Sequence, residues 1–259
     1  MDTLGSFCLI KDEAQFIRPH LQVWLPHLTE MVFFDGGSTD GTLEVIKEFI
    51  KKEHGHKIKL FGNMDPKDLT NDYTRLSNEA MRSLSTDLAM FLHPDMMPDN
   101  PDEVLKLPDG ITAATVNMAS FAGEPGGDIY QIISGRTNRW KNIYRLRNPD
   151  LGAHYHGHYG AANEDTYFSE ITGAEHNFHG DRFDRYPYTV THLDLKVNHY
   201  SDVRPYARRL DRMEKCLINQ GYNRETAKEV APIHPRVSLK DNAAFKFVKI
   251  TKPCWLEVK

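Results

Sequence analysis

The chain has 259 residues, 40% of them hydrophobic, and a formal net charge of −4. That length suits one large α/β domain or one domain with a small appendage; the charge excludes a general drive toward nucleic acid or an anionic membrane, while leaving room for a local basic groove. Cys8, Cys216 and Cys254 are odd in number and far apart, neither a disulfide framework nor a zinc pattern; with no apolar run near the ~18–20 residues that cross a bilayer, and no basic-then-apolar leader, the sequence reads as soluble, reducing-compartment and cytoplasmic.

The first half alternates strands and helices. Residues 5–10 (GSFCLI) predict a strand that runs into Lys11, Asp12 and Glu13. A helix then carries Phe16, Ile17 and Leu21, with Pro19 and Pro26 expected at its ends or at kinks, since proline cannot donate an interior hydrogen bond. Residues 31–34 predict a second strand. It leads into FFDGGSTDGT, where the glycines permit positive φ and Ser38, Thr39 or Asp40 can cap the next helix. That helix sets Val45, Ile46, Phe49 and Ile50 on one face. Residues 57–61 predict a third strand and 72–84 a helix with Leu76, Ala80 and Leu84 at i, i+4 and i+8. Residues 88–92 (LAMFL) form a fully apolar strand, as a central parallel strand should be, ending at His93, Pro94 and Asp95. This βαβαβαβ order predicts a doubly wound, mainly parallel sheet with right-handed crossovers.

The second half is less regular. Residues 112–121 predict a strand, GEPGG at 123–127 a turn, and 130–147 one or two short strands. Residues 152–179 read as loop-rich, with a short helix near 164–170. A strand follows at 193–199, then a helix over 204–219 with Leu210, Met213, Leu217 and Ile218 on one side; the last forty residues carry no clear pattern. With no repeat, low-complexity tract or linker, the expectation is one domain over 1–259.

Three acidic positions, Asp12, Asp35 and Asp95, follow apolar strands. Strand ends in a parallel sheet share one edge, where open α/β sheets bind ligands. Carboxylates converging beside glycine-rich turns suit a divalent cation and a phosphorylated ligand. Taken singly, each has a plainer reading: Asp12 as a helix cap, Asp95 as a turn residue. His154, His156, His158, His176 and His179 form a histidine-rich stretch. Alternation in HYHGH sets three of them on one face of an extended chain, but Cys is absent and Gly157 interrupts. An aromatic acceptor pocket with Trp140, Tyr155, Tyr159 and Tyr167 is favoured over zinc, the plain alternative being ordinary core.

The sequence resembles the inverting nucleotide-sugar glycosyltransferases of family two, with the GT-A fold. The resemblance rests on FCLIKDE at 7–13, VFFDGGSTDGT at 32–42, NDYTRLSN at 71–78 and DLAMFLHPD at 87–95, covering roughly residues 5–100. It implies a nucleotide-sugar-binding half over 1–100 and an acceptor-binding, loop-rich half with C-terminal helices over 101–259. Asp35 would bind the nucleotide base, with Asp12 or Glu13 nearby, and Gly36 would let the nucleotide lie against the backbone. Arg75 and Asn78 would hold the nucleotide or the diphosphate loop. Asp95 stands at the last position of the family's Asp-x-Asp motif and would bind Mn²⁺ or Mg²⁺; His93 replaces the first Asp, and imidazole can still ligate Mn²⁺ or meet phosphate. Asp40 more plainly caps a helix or braces the loop. Asn163-Glu164-Asp165 matches the family's base motif in its Glu-Asp form, with Asp165 as base and Glu164 second. LKVNHYSD at 195–202 resembles a late strand ending in His-Tyr, which makes His199 a third metal or diphosphate ligand, with Arg204, Arg208, Arg209 and Arg212 as nearby cations.

The resemblance implies a metal-dependent transfer from a nucleotide-diphosphate sugar, UDP first and GDP second, to an acceptor hydroxyl. Glycan, protein, small molecule and hydroxylated DNA base all remain open as acceptors, with no transmembrane contact. The alternatives are a degenerate, non-catalytic member that binds a nucleotide or sugar, and a nucleotidyltransferase, disfavoured because no Gly-rich, Arg/Lys-bearing triphosphate loop follows the first strand. A dinucleotide-binding dehydrogenase is disfavoured because no Gly-x-Gly-x-x-Gly follows it either.

Overall fold

The structure, a computed structural model, describes residues 2–52, 55–62, 73–111, 113–134, 139–145, 147–148, 151–152, 166–169, 174–177, 190–219, 221–240 and 245–250. In chain order these form β1 (Leu4–Ile10), α1 (Ala14–Trp24), β2 (Glu30–Asp35), α2 (Thr42–Ile50), β3 (Ile58–Phe61), α3 (Tyr73–Arg82), β4 (Leu88–Phe91), β5 (Met96–Pro98), β6 (Ala113–Gly123), β7 (Ile129–Ser134), β8 (Arg139–Arg145), β9 (Arg147–Asn148), β10 (Leu151–Gly152), β11 (Thr166–Ser169), β12 (Ala174–Asn177), β13 (Val190–Val203), α4 (Tyr206–Asn219), α5 (Arg224–Val230), α6 (Pro235–Ser238) and β14 (Phe245–Ile250). The chain divides into two compact units. The first holds the elements through β5, the start of β6, β8 to β12 and the start of β13; the second holds the rest.

The first unit is built on four parallel strands in the order β4-β1-β2-β3. Ile10 pairs with Asp35 and Phe7 with Phe91, so the carboxyl ends of β1, β2 and β4 share one edge. Every residue of these three strands is buried, as strands covered on both faces must be. Phe7, Leu9, Val32, Phe34, Ala89 and Phe91 share one face and pack with Leu76, Ala80, Met81 and Leu84 from α3 and the turn after it. On the opposite face α1 buries Phe16, Ile17, Leu21 and Trp24, and the His20 ring meets Phe33 edge-on at 6.4 Å. The sheet is therefore doubly wound. Beyond β4 it turns antiparallel, with β8 on β4 and the first half of β6 on β8.

Several expectations change. Pro19 lies inside α1, not at its end; the helix forgoes one i→i−4 bond there, and burial of the ring and of its neighbours Phe16, Ile17, His20 and Leu21 offsets the loss. Pro26 does fall just past the helix. Ile50 is 37% exposed, because α2 is a short helix whose buried stripe is Thr42, Ile46 and Phe49. The helix expected near 164–170 is absent at 166–169, which form β11, paired antiparallel with β12; Thr-Tyr-Phe-Ser is β-branched and aromatic, the composition of a strand.

In the second unit, β6 and β7 form a hairpin across residues 124–128, and β14 pairs antiparallel with β7. Leu217, Ala227 and Ala231 form a small core with Leu210, Met213 and Val230 against it, whereas Ile218 is 39% exposed, off that stripe. Arg209, 4% exposed, donates to the carbonyls of Gly123 at 2.6 Å and Arg204 at 2.5 Å and to Glu124 Oε1 at 2.9 Å. It locks α4 to the hairpin turn. No helix among the described residues is long and apolar enough to cross a membrane.

Candidate functional site

The site forms where β1, β2 and β4 end together. Its first part is the loop after β2. The Gly36 N–H extends the ladder to Ile10 O at 2.9 Å, and Gly37 then turns at φ 81°, a left-handed conformation suited to glycine. This turn folds back on Asp35. The carboxylate, 1% exposed, accepts from Gly37 N at 2.9 Å and from Ser38 N at 3.0 Å on Oδ2, with a longer contact from Ser38 N to Oδ1 at 3.2 Å. Asp35 therefore builds its own loop, whatever it binds besides.

The loop after β1 is tied to the same structure. Asp12 takes the left-handed conformation, φ 54°, which Asp tolerates better than most residues. Its N–H donates to Ser38 Oγ at 2.9 Å, and its Oδ1 accepts from Thr39 N at 2.8 Å. Asp40 reaches across both helix starts. Oδ2 accepts from Ala14 N at 2.9 Å, the first residue of α1, and Oδ1 accepts from Thr42 N at 3.1 Å, the first residue of α2. Glu13 N donates in turn to Thr42 Oγ1 at 2.8 Å. One carboxylate satisfies two helix N-termini, each of which attracts negative charge. Burial pushes the Asp40 carboxyl up, but hydrogen bonds from the Thr42 hydroxyl and from the Ala14 and Thr42 amides outweigh it and hold it below the ordinary carboxylate range.

The third part follows β4. Met96 N donates to His93 O at 2.9 Å, closing a four-residue turn with Pro94 second, a position proline favours. The turn sets His93 at its first corner and Asp95, 4% exposed, at its third. It is gripped from beneath by α1: Trp24 Nε1 donates to Met96 O at 2.9 Å, and His20 Nδ1 lies 3.3 Å from the same oxygen. Burial lowers the His20 pKa to about 4, against the opposing pull of that carbonyl and of Asp95, so the ring is neutral near pH 7. His93 packs edge-on against Phe91, centroids 4.5 Å apart, and its Nδ1 lies 3.5 Å from Cys8 Sγ.

The strand ends do share one edge: Asp35 closes β2, and Asp12, Gly36, His93 and Asp95 lie on the loops that follow β1, β2 and β4. Arg75 and Asn78 lie on α3, and their side chains fall outside the described residues, as do the side chains of Trp140 and Tyr167. Glu164, Asp165, His154, His156, His158 and His179 also lie outside them. His199 is half-buried on β13, in the second unit. Arg209 was expected among cations for phosphate; its bonds instead go to its own fold. Among the described residues no group of three or more His, Cys, Asp or Glu side chains is arranged to hold a metal ion. Sequence reasoning missed Cys8, His20 and Trp24, whose pattern reads only as core.

No family model matches the chain, and no curated protein matches it. Among solved structures, the chain is similar to the mannosyltransferase PcManGT from Pyrobaculum calidifontis in complex with GDP-Man and Mn²⁺, at 14% identity and a TM-score of 0.49, over 92% of this chain and 70% of that one. It is similar to S. aureus TarS 1-349 in complex with UDP, at 11% identity and a TM-score of 0.40, over 93% and 76%. It is also similar to GalNAc-T7 with UDP, GalNAc and Mn²⁺, at 10% identity and a TM-score of 0.44, over 89% and 54%. All three are distant.

Proposed function

We propose that this chain is an inverting glycosyltransferase that moves a sugar from a nucleotide-diphosphate donor to an acceptor hydroxyl. The observation that supports it is the edge itself: two braced acidic loops and the His93, Pro94, Asp95 turn stand at the carboxyl ends of adjacent parallel strands. The family resemblance of the motifs on those loops gives the edge its chemistry. In this reading Asp35, with Asp12 or Glu13 beside it, recognises the base, and Gly36 admits the nucleotide against the backbone. Arg75 and Asn78 steady the diphosphate.

An imidazole and a carboxylate two residues apart fit Mn²⁺ or Mg²⁺, ions often bound by one or two protein ligands with phosphate oxygens completing the shell. His93 and Asp95 are those ligands. A cation there supplies positive charge against the charge building on the departing diphosphate. Asp165, with Glu164 second, takes the acceptor proton as that oxygen attacks the anomeric carbon in line. The acceptor is left open, UDP ranks before GDP, and a cytoplasmic setting remains the simplest one.

Calorimetric titration of UDP, GDP, CDP and dTDP, with Mn²⁺ and then with EDTA, tests this. Metal-dependent binding of one diphosphate, lost in Asp95→Ala, is the expected result. Binding indifferent to metal would remove Asp95 and His93 from the ligand set. Binding of none would favour a non-catalytic relative; binding of a nucleoside triphosphate with release of pyrophosphate would favour a nucleotidyltransferase.

A further inference from the structure

We propose that Phe61, at the carboxyl end of β3, is the surface on which the nucleobase of the donor stacks. The inference rests on the nucleotide-sugar reading above and adds to it a residue that no motif marks.

Asp35 offers a base a polar contact but little area. It is 1% exposed, and its carboxylate already accepts from Gly37 N and Ser38 N. A base also needs a flat apolar face to lie on. Phe61 supplies one a single strand away. β2 and β3 are parallel with Phe34 opposite Phe61, so Phe61 stands level with the residue before Asp35. Opposed residues of paired strands share a sheet face, and the two rings meet with centroids 4.7 Å apart and planes tilted by 35°. Phe34 is 8% exposed and packs with Leu76 and Ala80 of α3, the helix that also carries Arg75 and Asn78. Phe61 is 41% exposed. The inner ring is fixed in the core; the outer ring rests on it and keeps open area at the sheet edge. Strand order sets the rest. β3 and β4 are the two ends of the run β4-β1-β2-β3, three strand spacings or about 14 Å apart. With the His93, Pro94, Asp95 turn at one end and Phe61 at the other, the edge spans the reach of a nucleoside diphosphate extended from phosphates to base. Stacking uses the face of a base and leaves its polar rim for hydrogen bonds, so Phe61 and Asp35 do not compete for the same atoms. Every base has such a face, so Phe61 adds affinity without choosing among bases.

The test has two arms on the full chain, both with Mg²⁺ present. The first is the ¹H spectrum of UDP, and then of GDP, as protein is added. The base protons are expected to move upfield on binding to the wild type, under the ring current of Phe61, and to lose that shift in Phe61→Ala. The second arm is calorimetric titration of UDP, GDP and inorganic pyrophosphate. Phe61→Ala is expected to weaken each nucleotide that binds by about tenfold without changing their ranking. Phe61→Tyr, which keeps the ring, should stay within about twofold of wild type. Pyrophosphate has no base, and its affinity should not change in either variant. Base protons that do not shift on binding to the wild type, or nucleotide affinity unmoved by Phe61→Ala, overturn the proposal. An equal loss of pyrophosphate overturns it too, since Phe61 would then support the edge and not the base. If Phe61→Ala fails to fold, Phe61→Leu and the wild-type base-proton shifts decide the matter. Wild-type protein that binds neither nucleotide removes the nucleotide-sugar reading and Phe61 with it; a nucleotide held equally by wild type and Phe61→Ala removes Phe61 alone.

Discussion

The loops after β1 and β2 differ in kind from the turn after β4. In the first pair, acidic side chains spend their hydrogen bonds on the protein: Asp35 on Gly37 and Ser38, Asp12 on Thr39, Asp40 on two helix starts. In the second, the grip comes from below, through Trp24 and His20 on a backbone carbonyl, and the polar side chains of His93 and Asp95 are not what closes the turn. Charge in the first region therefore shapes the scaffold before it meets a ligand. Charge in the second rides on a turn closed by a backbone hydrogen bond and held from below by two side chains of α1. Mutations should separate the two: the braced loops should lose stability and binding together, the turn mainly binding.

Asp35→Ala should show the largest effect. It strips a buried acceptor from two half-buried loop amides, and losing charged hydrogen bonds there should cost about 3 kcal/mol together. Urea denaturation should show that loss along with lost nucleotide binding. Asp95→Ala, by contrast, should abolish metal-dependent binding at a stability cost no more than half as large. Equal destabilisation by both would erase the distinction between the regions.

The support beneath the turn is testable by pH. His20 has its folded pKa depressed to about 4, against 6.5 for the ordinary group. The unfolded chain thus binds the extra proton first as pH falls. Stability from this source is complete above about pH 6.5 and drains away between there and pH 4, by up to about 3 kcal/mol. In His20→Gln the loss of melting temperature over that window should shrink; an unchanged acid limb would mean His20 does not drive it. Asp40→Ala comes next, at about 1–2 kcal/mol, because one side chain caps two helices. A cost below about 0.5 kcal/mol would mean water replaces the caps.

Much of the scaffold was legible. FCLI, MVFF and LAMFL are runs with no polar alternation until Lys11, Asp35 and His93 end them, and that pattern is what a doubly covered parallel strand requires. The positions of Asp12, Asp35 and Asp95 at one edge followed from strand order alone. What those carboxylates touch did not. Asp35 bonds residues two and three further on, which a local turn rule could have found, but Asp40 joins Ala14, twenty-six residues away, and only the register of β1 on β2 creates that contact. Trp24 and His20 read as core because they are core; one backbone carbonyl turns them into supports. Pro19 misled because its penalty was judged locally, whereas tertiary burial decides whether a helix tolerates it. At 166–169 a polar, loop-like neighbourhood hid a four-residue strand too short for alternation to register.

The smallest expected effect is the most discriminating. Asp12 sits at φ 54° with its carboxylate on Thr39, and Asn shares its tolerance of that conformation and keeps an acceptor oxygen. Asp12→Asn should change stability by less than about 0.5 kcal/mol, since geometry and hydrogen bond both survive. Only the charge is removed. If Asp12 is purely a brace, diphosphate affinity should stay within a factor of two or so of wild type. If it contributes to recognition of the base beside Asp35, affinity should shift severalfold while the melting temperature holds. A fall in both would mean the Thr39 bond needs the charge, and the line between the two regions would then pass between Asp12 and Asp35 instead of around them.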